Sequence, residues 1–136
     1  MSQKDVEIVR RVCDAFAAGD SDTLLALVAP EIEWDFSHVD TWLEEKIYRG
    51  YDGIAEFFGK WVGEWDDYRF EVEDVIDAGD RVVAIVRDEG RGKSSGIKLE
   101  RRHAEVWTVR DGKVIRIEPY DHPADALTVV GLAESA

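Results

Sequence analysis

The spacing of apolar residues changes half-way along this chain, from the three- and four-residue steps of helices to the alternation of strands. Residues 5–18 follow the helical spacing, and a second short helix follows Asp20 or Ser21 and stops before Pro30. A third helix is predicted after Asp52. The second half predicts strands over residues 68–76, 81–88, 97–109 and 113–120. Helices followed by an antiparallel meander predict an α+β fold with the helices on one face of the sheet.

Shorter segments complete this prediction. Residues 31–36 alternate acidic and apolar side chains, which is typical of a strand with one buried side. Residues 37–50 predict a loop at the rim of the domain, and the glycine-rich residues 90–96 predict a mobile hairpin tip. A short helix is predicted after Pro123. Residues 1–136 are predicted to form a single domain, because a chain of 136 residues is too short for two ordinary ones.

The balance of charge excludes several classes of partner. Thirty acidic residues against seventeen basic ones give a formal net charge of −13 at pH 7. Nucleic acid and anionic membrane surfaces attract clusters of Lys and Arg, so neither is a predicted partner. The single cysteine, Cys13, cannot form an internal disulfide, and neither a signal peptide nor a membrane-spanning run is recognisable. These features predict a cytoplasmic protein.

Four stretches stand in the order and spacing of a known family, namely residues 15–20, 27–34, 48–50 and 105–117, the last reading EVWTVRDGKVIRI. Together they resemble the SnoaL-like branch of the nuclear transport factor 2-like superfamily, across nearly the whole chain. The resemblance implies a cone-shaped α+β barrel. In such a barrel, N-terminal helices pack in the concave face of a strongly curved, mostly antiparallel sheet, and a cavity remains at the open end. It also implies that two copies pair through the outer face of the sheet.

Proteins that share this resemblance include ketosteroid isomerases, epoxide hydrolases, polyketide cyclases and non-catalytic binding proteins, so the fold alone does not fix a function. The catalytic positions of the isomerases are kept only in part. Val12 and Phe36 stand in the places of their tyrosine and their base. Only the place of their acid, Glu105, keeps a carboxyl group. A close copy of the isomerase mechanism is therefore not predicted.

The other two enzyme classes match no better. The resemblance to limonene-type epoxide hydrolases implies a site of one arginine flanked by two aspartates. The place of the arginine matches Val86, and the places of the aspartates match Asp88 and Pro119. In SnoaL-type cyclases the place of the acid matches Pro119, and the place of its partner histidine matches Glu105. Since proline carries no exchangeable proton, neither mechanism is predicted in its known form.

Alternation along residues 97–109 puts Arg101, His103 and Glu105 on one side of the strand, and the resemblance implies that this side faces the cavity. A carboxylate or imidazole in apolar surroundings shifts its proton affinity toward neutrality, which suits acid–base chemistry. The predicted catalytic residues are therefore Glu105, His103 and Asp88. The predicted ligand-binding residues are Trp34, Phe36, Arg101, Trp107, Phe16 and His38.

Each of these assignments has a structural alternative. Interior His, Arg and Glu side chains often satisfy one another and merely fill the inside of a sheet. Asp88 also fits a solvated residue beside the hairpin tip. The three histidines do not stand at metal-ligand spacing, so neither a metal nor a cofactor is predicted.

Two functions remain as hypotheses. The first is cofactor-free acid–base catalysis of isomerase, cyclase or hydrolase type on a small apolar organic molecule, with Glu105 as the proton shuttle. The second is a non-catalytic dimer that binds a hydrophobic ligand or another chain. A homodimer is predicted in addition because Ala104, Val106 and Thr108 give the outer face of the sheet a partly apolar surface.

Overall fold

The computed structural model of the chain describes residues 2–39 and 47–132. Among these residues, no helix is long and apolar enough to cross a membrane. The helices are α1 (Ser2–Ala18), α2 (Ser21–Leu27), α3 (Gly50–Gly63) and α4 (Pro123–Val129). The strands are β1 (Val28–Asp35), β2 (Ile47–Arg49), β3 (Trp65–Asp77), β4 (Val82–Gly92), β5 (Lys98–Arg110) and β6 (Lys113–Tyr120).

The junction between α1 and α2 shows how local sequence sets the helix ends. Gly19 ends α1 at a φ of +70°, a left-handed conformation that only glycine adopts at little cost. Asp20 then caps α2, because its carboxylate accepts hydrogen bonds from the Thr23 backbone N–H at 3.1 Å and the Thr23 hydroxyl at 2.6 Å. The two helices are thereby held at a fixed turn beside the sheet.

The sheet has the strand order β2-β1-β6-β5-β4-β3 within the described residues. Neighbouring strands are antiparallel except for β1 and β6, which run parallel. Shifts of register interrupt the pairing of β3 with β4 between Asp66 and Arg69 and between Val72 and Asp74. Such bulges bend a strand and increase its twist, so they help to curve the sheet around the helices. The α+β fold with N-terminal helices against a curved, mostly antiparallel sheet is thus confirmed.

The structure differs from the sequence prediction mainly at element boundaries. The predicted loop 37–50 ends in strand β2, whose Tyr48 pairs with Trp34 of β1, while residues 40–46 lie outside the described residues. Strand β1 starts at Val28 and β3 at Trp65, each three residues earlier than predicted. Strand β4 continues to Gly92, so part of the predicted mobile tip belongs to the sheet. Cross-strand hydrogen bonds extend these elements beyond the segments with a clear apolar period.

Helices of the chain pack on both faces of the sheet. Helices α1 and α3 pack on the concave face, and α4 packs on the outer face, where Ala126 is fully buried. Ala104 and Val106, which suggested a homodimer, have no exposed surface because they belong to this second apolar cluster with α4. The reason for predicting a dimer is therefore wrong for these residues, and the dimer itself stays a prediction.

Two glycines of α3 give a matched prediction about this packing. A Cβ added at Gly53 would lie 2.9 Å from the carbonyl carbon of Tyr48, whereas one added at the exposed Gly59 would meet nothing within 4 Å. We expect Gly53→Ala to lower the free energy of unfolding by about 1–3 kcal/mol through overpacking. Gly59→Ala should raise it by about 0.5–1 kcal/mol through helix propensity. Urea denaturation of both variants checks this, and equal effects would contradict the close contact of α3 with β2.

Candidate functional site

The inner face of β5 carries the ionisable stripe of the site. The side chains of Arg101, His103, Glu105 and Trp107 alternate along the strand and line one cavity between the sheet and the helices. Cross-strand pairing sets their neighbours, because Asp88 of β4 lies opposite Arg101. The structure thus places the odd-numbered side chains of β5 on the concave side.

Aromatic side chains form most of the cavity wall. Trp34 and Phe36 stack on each other at 5.5 Å between ring centroids, and both pack on Phe57, at 4.5 and 4.8 Å. Phe16 contacts Phe70 edge to face at 4.9 Å. Interlocked rings of this kind hold the wall in one shape. The further aromatic lining residues are Trp61, Tyr68 and Trp107.

The space left between these rings is small. The cavity volume is about 60 Å³, counted as the space open to the centres of water-sized spheres. On the same scale a single water needs roughly 10–15 Å³. The cavity therefore has room for about four to six waters or for one compact organic molecule. The aromatic side chains narrow the hollow without filling it.

A buried ion pair closes one side of the cavity. The Arg101 guanidinium donates two hydrogen bonds to Asp88, from Nε to Oδ1 at 3.0 Å and from Nη2 to Oδ2 at 2.7 Å. The Tyr68 hydroxyl donates a third to Oδ2 at 2.7 Å, and the guanidinium lies 5.0 Å above the ring of Trp61. Asp88 is 3% exposed, so its interpretation as a solvated residue beside the hairpin tip is wrong. The pair is held in a fixed, bidentate geometry.

His103 lies next to this ion pair in neutral form. Its Nδ1 is 4.0 Å from Oδ1 of Asp88, which is too long for a hydrogen bond. Burial, together with the neighbouring positive charge of Arg101, lowers the pKa of its imidazole from 6.5 to about 4, although Asp88 and Asp121 oppose the shift. One ring nitrogen of the neutral imidazole can donate a hydrogen bond and the other can accept one.

Glu105 is the carboxyl group that burial perturbs most directly. Removal from water, together with the nearby negative charge of Asp88, raises the pKa of its side chain from 4.5 to about 7. The Arg101 charge and the indole of Trp107 oppose it. The contact with Trp107 does not meet hydrogen-bond geometry, so Oε1 of Glu105 has no partner among the described residues. Near neutral pH this carboxyl group can both give and take a proton.

Buried polar atoms without a hydrogen-bond partner concentrate on this cavity. In the described part of the chain they are Nε1 of Trp34, Nε1 of Trp107, Nδ1 of His103, Oε1 of Glu105 and Nε1 of Trp65. All but Trp65 belong to residues that line the cavity. A buried polar group without a partner costs about 1–3 kcal/mol, so such groups are rare unless a ligand or ordered water satisfies them. Ordered water or a ligand could supply the partners that these atoms lack.

Residues 9–117 match the family model described as SnoaL-like domain. The chain belongs to the SnoaL-like domain family. The Uncharacterized protein Rv0034 of Mycobacterium tuberculosis is 32% identical over 123 residues, which cover 88% of this chain and 91% of that protein. Among solved structures, an NTF2-like protein from Burkholderia thailandensis has 31% identity and a TM-score of 0.77, covering 93% of this chain and 95% of that one.

A second structural relative is Bal32a from a soil-derived mobile gene cassette, with a TM-score of 0.79 and 25% identity, covering 88% of this chain and 89% of that one. Within this SnoaL-like domain, the structure gathers most of the residues predicted as a site. Those that line the cavity are Glu105, His103, Asp88, Trp34, Phe36, Arg101, Trp107 and Phe16.

His38 is the predicted ligand-binding residue that the SnoaL-like domain does not place in the cavity lining. Its ring stacks on Tyr120 at 4.5 Å, and its Nε2 lies 3.5 Å from Oε2 of Glu118. Asp35, His38 and Glu118 could turn one ligand atom each toward a common point. Arg116 already bonds Asp35 at 2.6 Å and lies 3.5 Å from Glu118, so a guanidinium supplies the positive charge of this cluster.

The most important residue that sequence reasoning missed is Tyr68. A bulge lies between Asp66 and Arg69, with Asp67 at a φ of +54°, and it breaks the alternation that would reveal which side Tyr68 faces. Trp61 of α3 also lines the cavity. A positive φ at a non-glycine residue leaves little signal in one sequence, since Asp is tolerated there without being required.

Proposed function

We propose that this SnoaL-like domain catalyses cofactor-free acid–base chemistry on a small, largely apolar organic molecule, with Glu105 moving the proton. The observation that carries this proposal is the position of Glu105, which is 5% exposed, lines the cavity and has a free Oε1. Its pKa, raised to about 7 by burial, lies where a general acid or base works best at neutral pH. The aromatic wall would bind the apolar body of the substrate.

The other ionisable groups receive different roles. Both oxygens of Asp88 already accept hydrogen bonds from Arg101 and Tyr68, so Asp88 is better suited to positioning than to proton transfer. We assign Asp88, which the sequence suggested as catalytic, to holding Arg101 against the cavity wall. His103 is neutral and keeps Nδ1 free, so it can orient the substrate by a hydrogen bond.

Binding without catalysis is the competing function. Its support is that Val12, Phe36 and Pro119 line the cavity and bring no ionisable group to it. Pro119 lies directly opposite Glu105 in the sheet, so the strand next to Glu105 supplies no second proton donor at this point. A proton moved by Glu105 would therefore have to pass to the substrate, to His103 or to water.

Glu105→Gln tests the proposal, because glutamine keeps the shape of the side chain and cannot transfer a proton. The wild-type protein would be incubated in D₂O with a panel of small ring alcohols, ketones, epoxides and esters, and NMR would follow conversion and C–H exchange. For any compound that reacts, we expect the variant to lose at least about 100-fold in rate.

Glu100→Gln is the matched control, since Glu100 is exposed on the same strand and outside this cavity. It should leave the rate unchanged. Equal rates for the wild type and Glu105→Gln would remove Glu105 from the mechanism. Saturable binding of compounds with no conversion or exchange on prolonged incubation would support the binding function instead.

A further inference from the structure

The polar atoms of the cavity also restrict what it can hold. Resting on the proposed function, we infer that the occupant is an uncharged ring compound whose acceptor oxygen receives hydrogen bonds from the indole N–H groups of Trp34 and Trp107. An indole nitrogen can only donate, so a buried indole without a partner calls for an acceptor. The two residues are 6% and 3% exposed, which leaves water from outside little access to them.

The two tryptophans stand in one row across the sheet. Ile117 of β6 pairs with Trp34 of β1 on one side and with Trp107 of β5 on the other. Strands lie about 4.8 Å apart, so the two tryptophan backbones are about 10 Å from each other. This row crosses the cavity wall next to Glu105. Glu105 precedes Trp107 by two residues on β5 and lies on the same face of the strand. The two tryptophans and Glu105 therefore belong to one stretch of the cavity wall.

The charges around the cavity favour an uncharged occupant. The positive charge of Arg101 is matched by the bidentate contact with Asp88, and His103 is neutral. Glu105 is the remaining deeply buried group, and its carboxyl favours the protonated state at slightly acidic pH. Asp121, which also lines the cavity, is only half-buried. An anion would leave water without gaining an unused positive charge, which is strongly unfavourable. At about pH 6 a cation would meet only the half-buried Asp121 and would have to displace the proton of Glu105, which also disfavours its binding.

The indole groups allow a direct test in the wild-type protein. Cyclohexanone and methylenecyclohexane have nearly the same shape, but only the ketone carries an acceptor oxygen, and both fit the size of the cavity. Each would be titrated at about pH 6 into ¹⁵N-labelled protein, with the indole N–H signals assigned from Trp→Phe variants. We expect the ketone to move the signals of Trp34 and Trp107 downfield and to bind about three- to tenfold more tightly than the hydrocarbon.

The variants Trp34→Phe and Trp107→Phe also change the apolar wall, so the readout is the ratio of the affinity for the ketone to the affinity for methylenecyclohexane. Each variant should lower this ratio relative to the wild type. Trp65→Phe is the matched control, because Trp65 Nε1 is also buried without a partner in the described residues but does not line the cavity. It should change neither affinity. Cyclohexylammonium and cyclohexanecarboxylate should bind at least about tenfold more weakly than the ketone.

The outcomes separate this inference from the proposed function. Equal affinities for the ketone and the hydrocarbon, or a ketone preference that survives both Trp34→Phe and Trp107→Phe, would overturn the inference and leave a small-molecule site in place. Preferred binding of either ion would overturn it as well. If the wild type bound none of the four probes at about 10 mM, the inference and the proposed small-molecule function would both fail.

Discussion

Arg101→Met is expected to lower the free energy of unfolding by about 3–5 kcal/mol at neutral pH. The methionine keeps apolar contact with the ring of Trp61 but leaves Asp88 without its counter-ion. The Asp88 side chain is only 1% exposed, so its charge cannot turn to water. A carboxylate that is buried and unpaired is among the most destabilising single defects in a protein. Urea denaturation of the wild type and the variant measures the difference.

The same ion pair predicts an unequal response when its other member is changed. The Arg101 side chain keeps 29% of its surface exposed, so in Asp88→Asn it can turn its charge toward solvent. We expect Asp88→Asn to cost about 1–3 kcal/mol, less than Arg101→Met.

Arg102→Met provides the control for a lost surface charge. Arg102 is the next residue of β5, faces outward and donates a hydrogen bond to Glu73 at 2.9 Å. Exposed pairs of this kind contribute about 0–1 kcal/mol, so this variant should stay close to the wild type. A deficit for Arg101→Met no larger than that of Arg102→Met would show that Asp88 is not held by a buried pair. That result would also contradict the proposed role of Asp88 in positioning Arg101.

Much of the fold could be predicted from the alternation of apolar residues in strands and their three- and four-residue spacing in helices. The pairing of β5 with β4 has no register shift from Arg101 to Trp107, so strict alternation of the backbone gives the side chains that share a face. The resemblance to the SnoaL-like branch then indicated that the face of β5 with the odd-numbered residues lines the cavity. Helix α1 was equally readable, because its apolar residues keep helical steps up to Gly19.

The sequence could not show interactions between distant segments. Strand β2 has only Ile47, Tyr48 and Arg49, which is too short for any period, and it exists because it pairs with β1. The burial of Asp88 depends on Tyr68 and Arg101, which stand 20 and 13 residues away in the chain. Neither contact has a local signature, so the sequence left open whether Asp88 faces the cavity or solvent.

Glu105→Gln is expected to stabilise the protein at alkaline pH, by about 3 kcal/mol at about pH 8–9. The folded state raises the pKa of Glu105 from 4.5 to about 7, so the folded protein binds its proton more tightly than the unfolded chain does. A carboxyl group whose pKa is raised by folding stabilises the folded state fully below about pH 4.5. This stabilisation is lost as the pH rises through about 7. Glutamine stays neutral throughout and avoids this loss.

His103 changes the free energy of unfolding with pH in the opposite direction to Glu105. The wild type must therefore be compared with Glu105→Gln at each pH, because the pH curve of one protein contains both effects. The pKa of His103 is lowered from 6.5 to about 4, so its contribution is present above about pH 6.5 and lost as the pH falls through about 4. Both proteins keep His103, so the difference between their unfolding free energies at each pH isolates Glu105. That difference should be near zero at about pH 4.5 and level off above about pH 8.

A stabilising substitution that also removes proton transfer would tie the two properties of Glu105 to one cause. The cavity withholds water from a carboxyl group, which weakens the fold at high pH and poises the same group for acid–base work near pH 7. Glu100→Gln, exposed on the same strand, should change the free energy of unfolding by no more than about 1 kcal/mol. A stability difference for Glu105→Gln that stayed constant from about pH 5 to 9 would mean that Glu105 titrates as in water, and its role as the proton carrier would lose its physical basis.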